Sequence, residues 1–440
     1  MSTEHASAGG KKALGLLELI ALGVGGMIGG GIFSMLGLAV SITGHAAPFA
    51  FLIGSFVAFF AGYSYIRLAL TFRNDGASYI YLRRAFPNRP EISCMTGWTV
   101  TIGYVGTLAL YAFTFGAYGS DLIGKSGDPL IRMAMSIGVL LFFLFMNLRG
   151  ARTTGHTEDL VVYAKILILA VFAVAGLQTV KHDNLFPLFD KGVDSVFMAG
   201  ALIFVAFEGF QLITNSVTET RDPDRNIPRG IYGAIAITSF IYILLAVVAI
   251  GNLPIDRLVK AEEYALAEAA RPVLGEAGVI LVGIAALLAT SSAINATVFG
   301  SARMMAEMAA ERRMPAYLAA RNADNVPWLA TITLIGLGGA FTVLGELEVI
   351  ASFSSMTFLL VSIGVSVANW KLRAQTGSRA WVIAAGIGLM ATTVLLLVIH
   401  LANEKPMTLL AVMGIYVAAG IPAWLYGRGA DAPQSPAASH

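Results

Sequence analysis

The chain has 440 residues, 57% of them hydrophobic and 13% charged, with a mean hydropathy of +0.74. Soluble domains carry about 25% charged residues, so a chain this long and this poor in charge cannot cover a water-facing surface and must be solvated by lipid. That excludes a cytosolic enzyme and a nucleic-acid binder, and the net charge of +2 points to no partner. The single cysteine, Cys94, excludes an intrachain disulfide framework and a cysteine-based metal cluster.

The first ten residues are polar and are followed by no short apolar run with a small-residue cleavage site. No cleaved signal peptide is expected, and the first span is its own insertion signal. A spanning helix needs about 20 apolar residues. Apolar runs at 14–40, 46–66, 92–119, 130–148, 159–178, 195–217, 229–250, 275–304, 328–345, 349–370, 380–401 and 406–426 predict an all-α membrane protein with twelve such helices. Most of the 29 basic residues fall on the side of Lys11 and Lys12, among them Arg67, Arg73, Arg83, Arg84, Arg89, Arg312, Arg313, Lys371 and Arg373. By the positive-inside rule both termini are therefore cytoplasmic. The connection 251–274 is the only sizeable one on the opposite side, and its second half reads as a short surface helix bounded by Pro272. Residues 1–427 form one domain, and the small, polar, Pro-containing tail 428–440 reads as disordered.

Span one carries "GVGGMIGGGIFS", with six glycines between Gly23 and Gly31. Glycine costs a helix roughly 1 kcal/mol against alanine, so the cluster predicts a break. Non-helical backbone at membrane depth is tolerated only where it lines a protected cavity. There its amides can hold a carboxylate, above all at the N-terminus of the second half-helix. The pairs Gly25/Gly29 and Gly26/Gly30 are also GxxxG spacings, which close helix packing alone would explain. A dinucleotide turn is excluded by the apolar context and by the lack of an acidic residue about 20 positions on.

Lys165 lies inside span five, six residues past Asp159. An unpaired lysine near the bilayer centre costs roughly 2.5–3.5 kcal/mol. It either snorkels to the edge or faces the protein interior, where it could gain and lose a proton. Span six reads "VFMAGALIFVAFEGFQLITNSV", with Glu208 beside Gly209 at its centre. An intramembrane glutamate marks a functional site by default. An ionised Glu208 would repel anions and attract cations, whereas a protonated one would be structural. Spans one and six open two successive groups of five, and interruption of both is the mark of an inverted-repeat transporter with its site between the broken helices. No H-E-x-x-H and no Ser–His pair lies at membrane depth, since His400 ends a span and His156 lies in a loop. No enzyme activity is expected.

These residues resemble the amino acid–polyamine–organocation (APC) superfamily. "GVGGMIGGGIF" is similar to its span-one motif, "FEGF" with "ETRDPDRNIPRGI" to its span-six break and the loop behind, and "NDGASYIYLRRAF" to its loop between spans two and three. "AIGNLPIDRLVKAEEYALAEAARPVLG" and "SSAINATVFGSARMMAEMA" look closest to archaeal proton-coupled members. The resemblance implies a LeuT-like fold of five plus five inverted helices (12–178 and 195–371), with discontinuous helices 1 and 6 and two extra helices over 380–427. It implies proton-coupled amino acid import at the cell membrane by alternating access, without sodium, metal or cofactor. An amino acid or polyamine exchanger is the nearest alternative, and a transporter-like receptor a remote one. The substrate carboxylate would meet the amides of Gly29, Gly30 and Gly31. Its amine would meet carbonyls of Met27, Val205 and Glu208, with Phe204 or Phe207 covering the site. Lys165 matches the span-five lysine that stands where relatives bind a sodium ion. Its implied partners are the Gly25 carbonyl, Ser291 and Ser292.

Overall fold

The computed structural model describes residues 14–74, 77–150 and 155–429. Lys11, Lys12, Gly76 and the tail beyond Gly429 lie outside the described residues, as do the side chains of His156 and Asp159. The described chain is helical throughout. In order it forms α1 (Leu16–Met27), α2 (Gly31–Thr43), α3 (Ala47–Phe72), α4 (Ala77–Ala85), α5 (Pro90–Leu122), α6 (Pro129–Leu148), α7 (Gly155–Leu177) and α8 (Val193–Leu202). A 3-10 segment, Ile203–Phe210, joins α8 to α9 (Gln211–Thr214). Then come α10 (Pro223–Asn252), α11 (Ile255–Ala261), α12 (Ala265–Ala310), α13 (Trp328–Leu344), α14 (Leu347–Lys371), α15 (Arg373–Thr376), α16 (Ala380–Glu404) and α17 (Pro406–Gly429).

Helix lies over every one of the apolar runs. Among the described residues, ten helical stretches are long and apolar enough to cross a membrane, while Leu16–Met27 and Trp328–Leu344 are shorter. The first is short because the glycine cluster ends it after 12 residues. Proline in the first turn, where its missing N–H would be unpaired anyway, starts α3, α5, α6 and α10. Asp128 caps α6 by accepting from the amides of Leu130 and Ile131.

The connection 251–274 departs from expectation. It is helical in both halves, as α11 and the start of α12, and the second helix runs through Pro272 to Gly275. Gly275 ends it because its positive φ of 65° is a conformation that side-chain-bearing residues avoid.

The long helix α5 is the hub, flanked by α6, α12, α13, α14 and α17, while α1 lies along α10. Leu14 exchanges main-chain hydrogen bonds with Glu219 and Arg221, each 2.8 Å, which ties the entry to α1 to the chain just beyond α9. At the centre, the turn after α1 meets the 3-10 segment backbone to backbone. A Cβ built on Gly209 would lie well inside van der Waals distance of the Gly26 carbonyl carbon and the Met27 nitrogen. Glycine at 26 and 209 therefore sets how closely the two segments approach. Gly209→Ala is expected to cost about 1–3 kcal/mol by overpacking, read as a lowered thermal midpoint of the purified protein. Gly414→Ala, where an added methyl meets nothing within 4 Å, should leave the midpoint unchanged or raise it.

Candidate functional site

The two interruptions free main-chain groups that a continuous helix would pair. In the first, Ile28 N–H still reaches the Val24 carbonyl and Ser34 N–H the Gly30 carbonyl, but no turn or cap hydrogen bond involves the amides of Gly29 and Gly30. They lie where the chain re-enters helix at Gly31, and an N-terminus with free amides favours an anion. The carbonyls are taken by side chains from other helices. Lys165 on α7 is fully buried and donates to the carbonyl of Gly25 (2.9 Å) and to that of Ile28 (2.6 Å). Tyr242 on α10 donates to the Met27 carbonyl at 2.6 Å and lies 3.2 Å from the Ala206 carbonyl, so one hydroxyl spans both breaks. Ser355 on α14 accepts from Val205 N–H (2.9 Å) and donates to the Leu202 carbonyl.

The 3-10 conformation of span six follows its side chains. With about three residues per turn, positions i and i+3 line up. Phe204, Phe207 and Phe210 then share one face and are completely buried. Phe207 packs edge-on against Tyr242 at 5.4 Å between ring centroids, and Phe210 against Tyr65 at 5.5 Å. The same period aligns Glu208 with Gln211 on another face, and both line a cavity of about 250 Å³. Gly26 and Gly209 lie at the breaks; Tyr104 and Tyr111 contribute rings, and Thr297, Ser301 and Glu307 of α12 carry the wall to the end where that helix finishes. Glu307 and Asn215 are exposed there.

The opposite end is closed. Glu262 packs so tightly on α2 that any side chain at Gly37 would overlap its backbone. Asp190 accepts from His45 N–H at 3.2 Å and stands 3.1 Å from the His45 ring, and Lys191 donates to the Ser41 carbonyl at 2.5 Å.

Of the residues singled out from the sequence, the structure joins Lys165 to Gly25 and sets Glu208 on the cavity wall. Met27, Gly29, Gly30, Gly31 and Val205 are buried at the breaks without lining the cavity, and Phe204 and Phe207 face the core instead. Ser291 and Ser292 sit half-buried on α12, which packs along α7, but no hydrogen bond links them to Lys165. Ile28, Tyr242, Ser355 and Gln211 were missed. Only the FxxFxxF spacing before Gln211 hinted at any of them, through the turn it imposes.

Two interrupted helices meeting in mid-bundle, with a cavity leading from them to one end, fit a membrane transporter for a small molecule. The chain belongs to the amino acid permease family, within the APC superfamily; the family profile matches residues 14–434. It is 32% identical over 84% of each chain to an uncharacterized protein of Methanocaldococcus jannaschii. It is 29% identical to the inner membrane transport protein YbaT of Escherichia coli, covering 92% of this chain and 94% of that one. It is 24% identical over 82% of each chain to the branched-chain amino acid permease BcaP of Bacillus subtilis. Its family and relatives are transporters, not enzymes.

Leaving the Met27 carbonyl unpaired should cost about 1–3 kcal/mol. Tyr242→Phe is therefore expected to lower the thermal midpoint, whereas Tyr317→Phe, at an exposed position, should not.

Proposed function

We propose that the chain is a secondary active transporter that imports amino acids together with protons. In this reading it has twelve spans with cytoplasmic termini, ten of them in two inverted groups of five. Helix α1–α2 and the segment α8–α9 are the discontinuous first members of each group, and α16 and α17 are appended. The observation that carries it is the fully buried Lys165 ammonium on the Gly25 and Ile28 carbonyls. A cation there holds α7 to the break of span one, the task a bound sodium ion performs in sodium-coupled relatives. When Lys165 loses its proton it keeps one lone pair and two donors, loses its charge and holds the carbonyls less strongly. The break is then free to shift relative to α7.

The amides of Gly29 to Gly31 at the start of α2 suit the substrate carboxylate. Carbonyls around Met27, Val205 and Glu208 would take its amine. The Met27 oxygen, already bonded to Tyr242, has a second lone pair for this. Closure at the 251–274 end with a cavity at the other supports alternating access, caught on its cytoplasm-facing side.

The test is uptake of labelled amino acids into proteoliposomes without internal substrate, with proton and sodium gradients imposed separately. Accumulation driven by an inward proton gradient and indifferent to sodium is expected. Flux only after internal amino acid is added would make the protein an exchanger, and binding without flux a receptor. Lys165→Ala should abolish proton-driven accumulation; a variant that still concentrates substrate with unchanged pH dependence removes Lys165 from the coupling.

A further inference from the structure

We infer that the inner cavity receives the side chain of a cationic amino acid, with its ammonium or guanidinium paired to the Glu208 carboxylate. The inference rests on the amino acid transport reading and adds the substrate class. Glu208 is 8% exposed, lines the cavity, and among the described residues has no hydrogen-bond partner and no paired cation. The basic groups near enough to matter are committed elsewhere. Lys165 is spent on the span-one carbonyls. Arg303, which also borders the cavity, lies 3.3 Å over the Phe299 ring and donates to the Phe299 carbonyl. The aromatic groups around Glu208 are the neutral hydroxyl-bearing rings of Tyr104 and Tyr111.

Two further polar groups on the same wall are incomplete. Gln211 is 5% exposed and Ser301 1%, and neither Gln211 Nε2 nor Ser301 Oγ has a hydrogen-bond partner in this structure. A buried polar group without a partner is costly, and native structures keep one where a ligand or water completes it. An aliphatic side chain would leave all three groups unpaired and would remove their water. An anionic one would meet Glu208, with the second carboxylate, Glu307, at the mouth. A cationic side chain supplies the missing charge to Glu208 and a donor to Ser301 Oγ, while Gln211 Nε2, itself a donor, gains no partner from it, and its path out passes Glu307. Sites built to hydrogen-bond a polar group reject the analogue lacking it far better than apolar pockets reject a methylene.

The test compares lysine with norleucine, which has the same linear chain without the terminal ammonium. Both are assayed as competitors of labelled lysine and labelled leucine uptake in proteoliposomes, and as stabilisers of the purified full-length protein in thermal-shift titrations. The wild-type protein should bind lysine at least tenfold more tightly than norleucine. That ratio should fall at least tenfold in Glu208→Gln and be largely kept in Glu208→Asp. Norleucine binding as well as lysine in the wild type overturns the inference, even if Glu208→Gln cannot be purified. A folded Glu208→Gln protein that keeps the lysine preference does the same. In both cases amino acid transport itself stands. If no amino acid of a twenty-member panel binds or is taken up, the transport reading falls and the inference with it.

Discussion

A main-chain carbonyl or amide released from a helix at membrane depth has no water to turn to, and leaving it bare costs several kcal/mol. That constraint governs the centre of this molecule. The glycines of span one and the period-three aromatics of span six free such groups in two places, and side chains from three other helices take up part of them: Lys165 from α7, Tyr242 from α10 and Ser355 from α14. The break is thus built from five segments at once. The amides of Gly29 and Gly30 receive no partner from this scheme.

The same arrangement ties the two breaks to the helices around them. Lys165 ties span one to α7 through two hydrogen bonds, where the helices themselves touch little, whereas the Tyr242 bond adds to the packing of α1 along α10. Tyr242 reaches both breaks, and Gly26 against Gly209 leaves no side chain between them. The two segments are therefore mechanically one body at the site. At the closed end the fastening is of another kind, made by Asp190, Lys191 and the Glu262 backbone against α2.

The glycine cluster left two readings open, a break or a close-packing surface, and the structure contains both. Gly23 faces Ala234 and Ile213 and Gly26 faces Gly209, while helix stops at Met27 and resumes at Gly31. One residue type serves both because removing the Cβ permits irregular dihedrals and close approach together. Span six behaves similarly. The Phe spacing that sends three rings into the core is what turns Glu208 and Gln211 toward the cavity.

Local composition alone determined where the helices lie, offered an interruption of span one as one of two readings, and marked Lys165 and Glu208 as costly to leave in lipid. Each of these follows from the transfer cost of a residue or the helix propensity of a few neighbours, which adjacent positions carry in full. The family was legible for the same reason, because its motifs are short and contiguous. Which carbonyls Lys165 takes, that Tyr242 and Ser355 hold the breaks, and that Phe204 and Phe207 point into the core were decided by the tertiary structure. Those partners are more than 30 positions apart along the chain, or depend on a turn of three residues rather than 3.6. A freed carbonyl demands a donor, but only the packing of α7, α10 and α14 around it determines which one arrives.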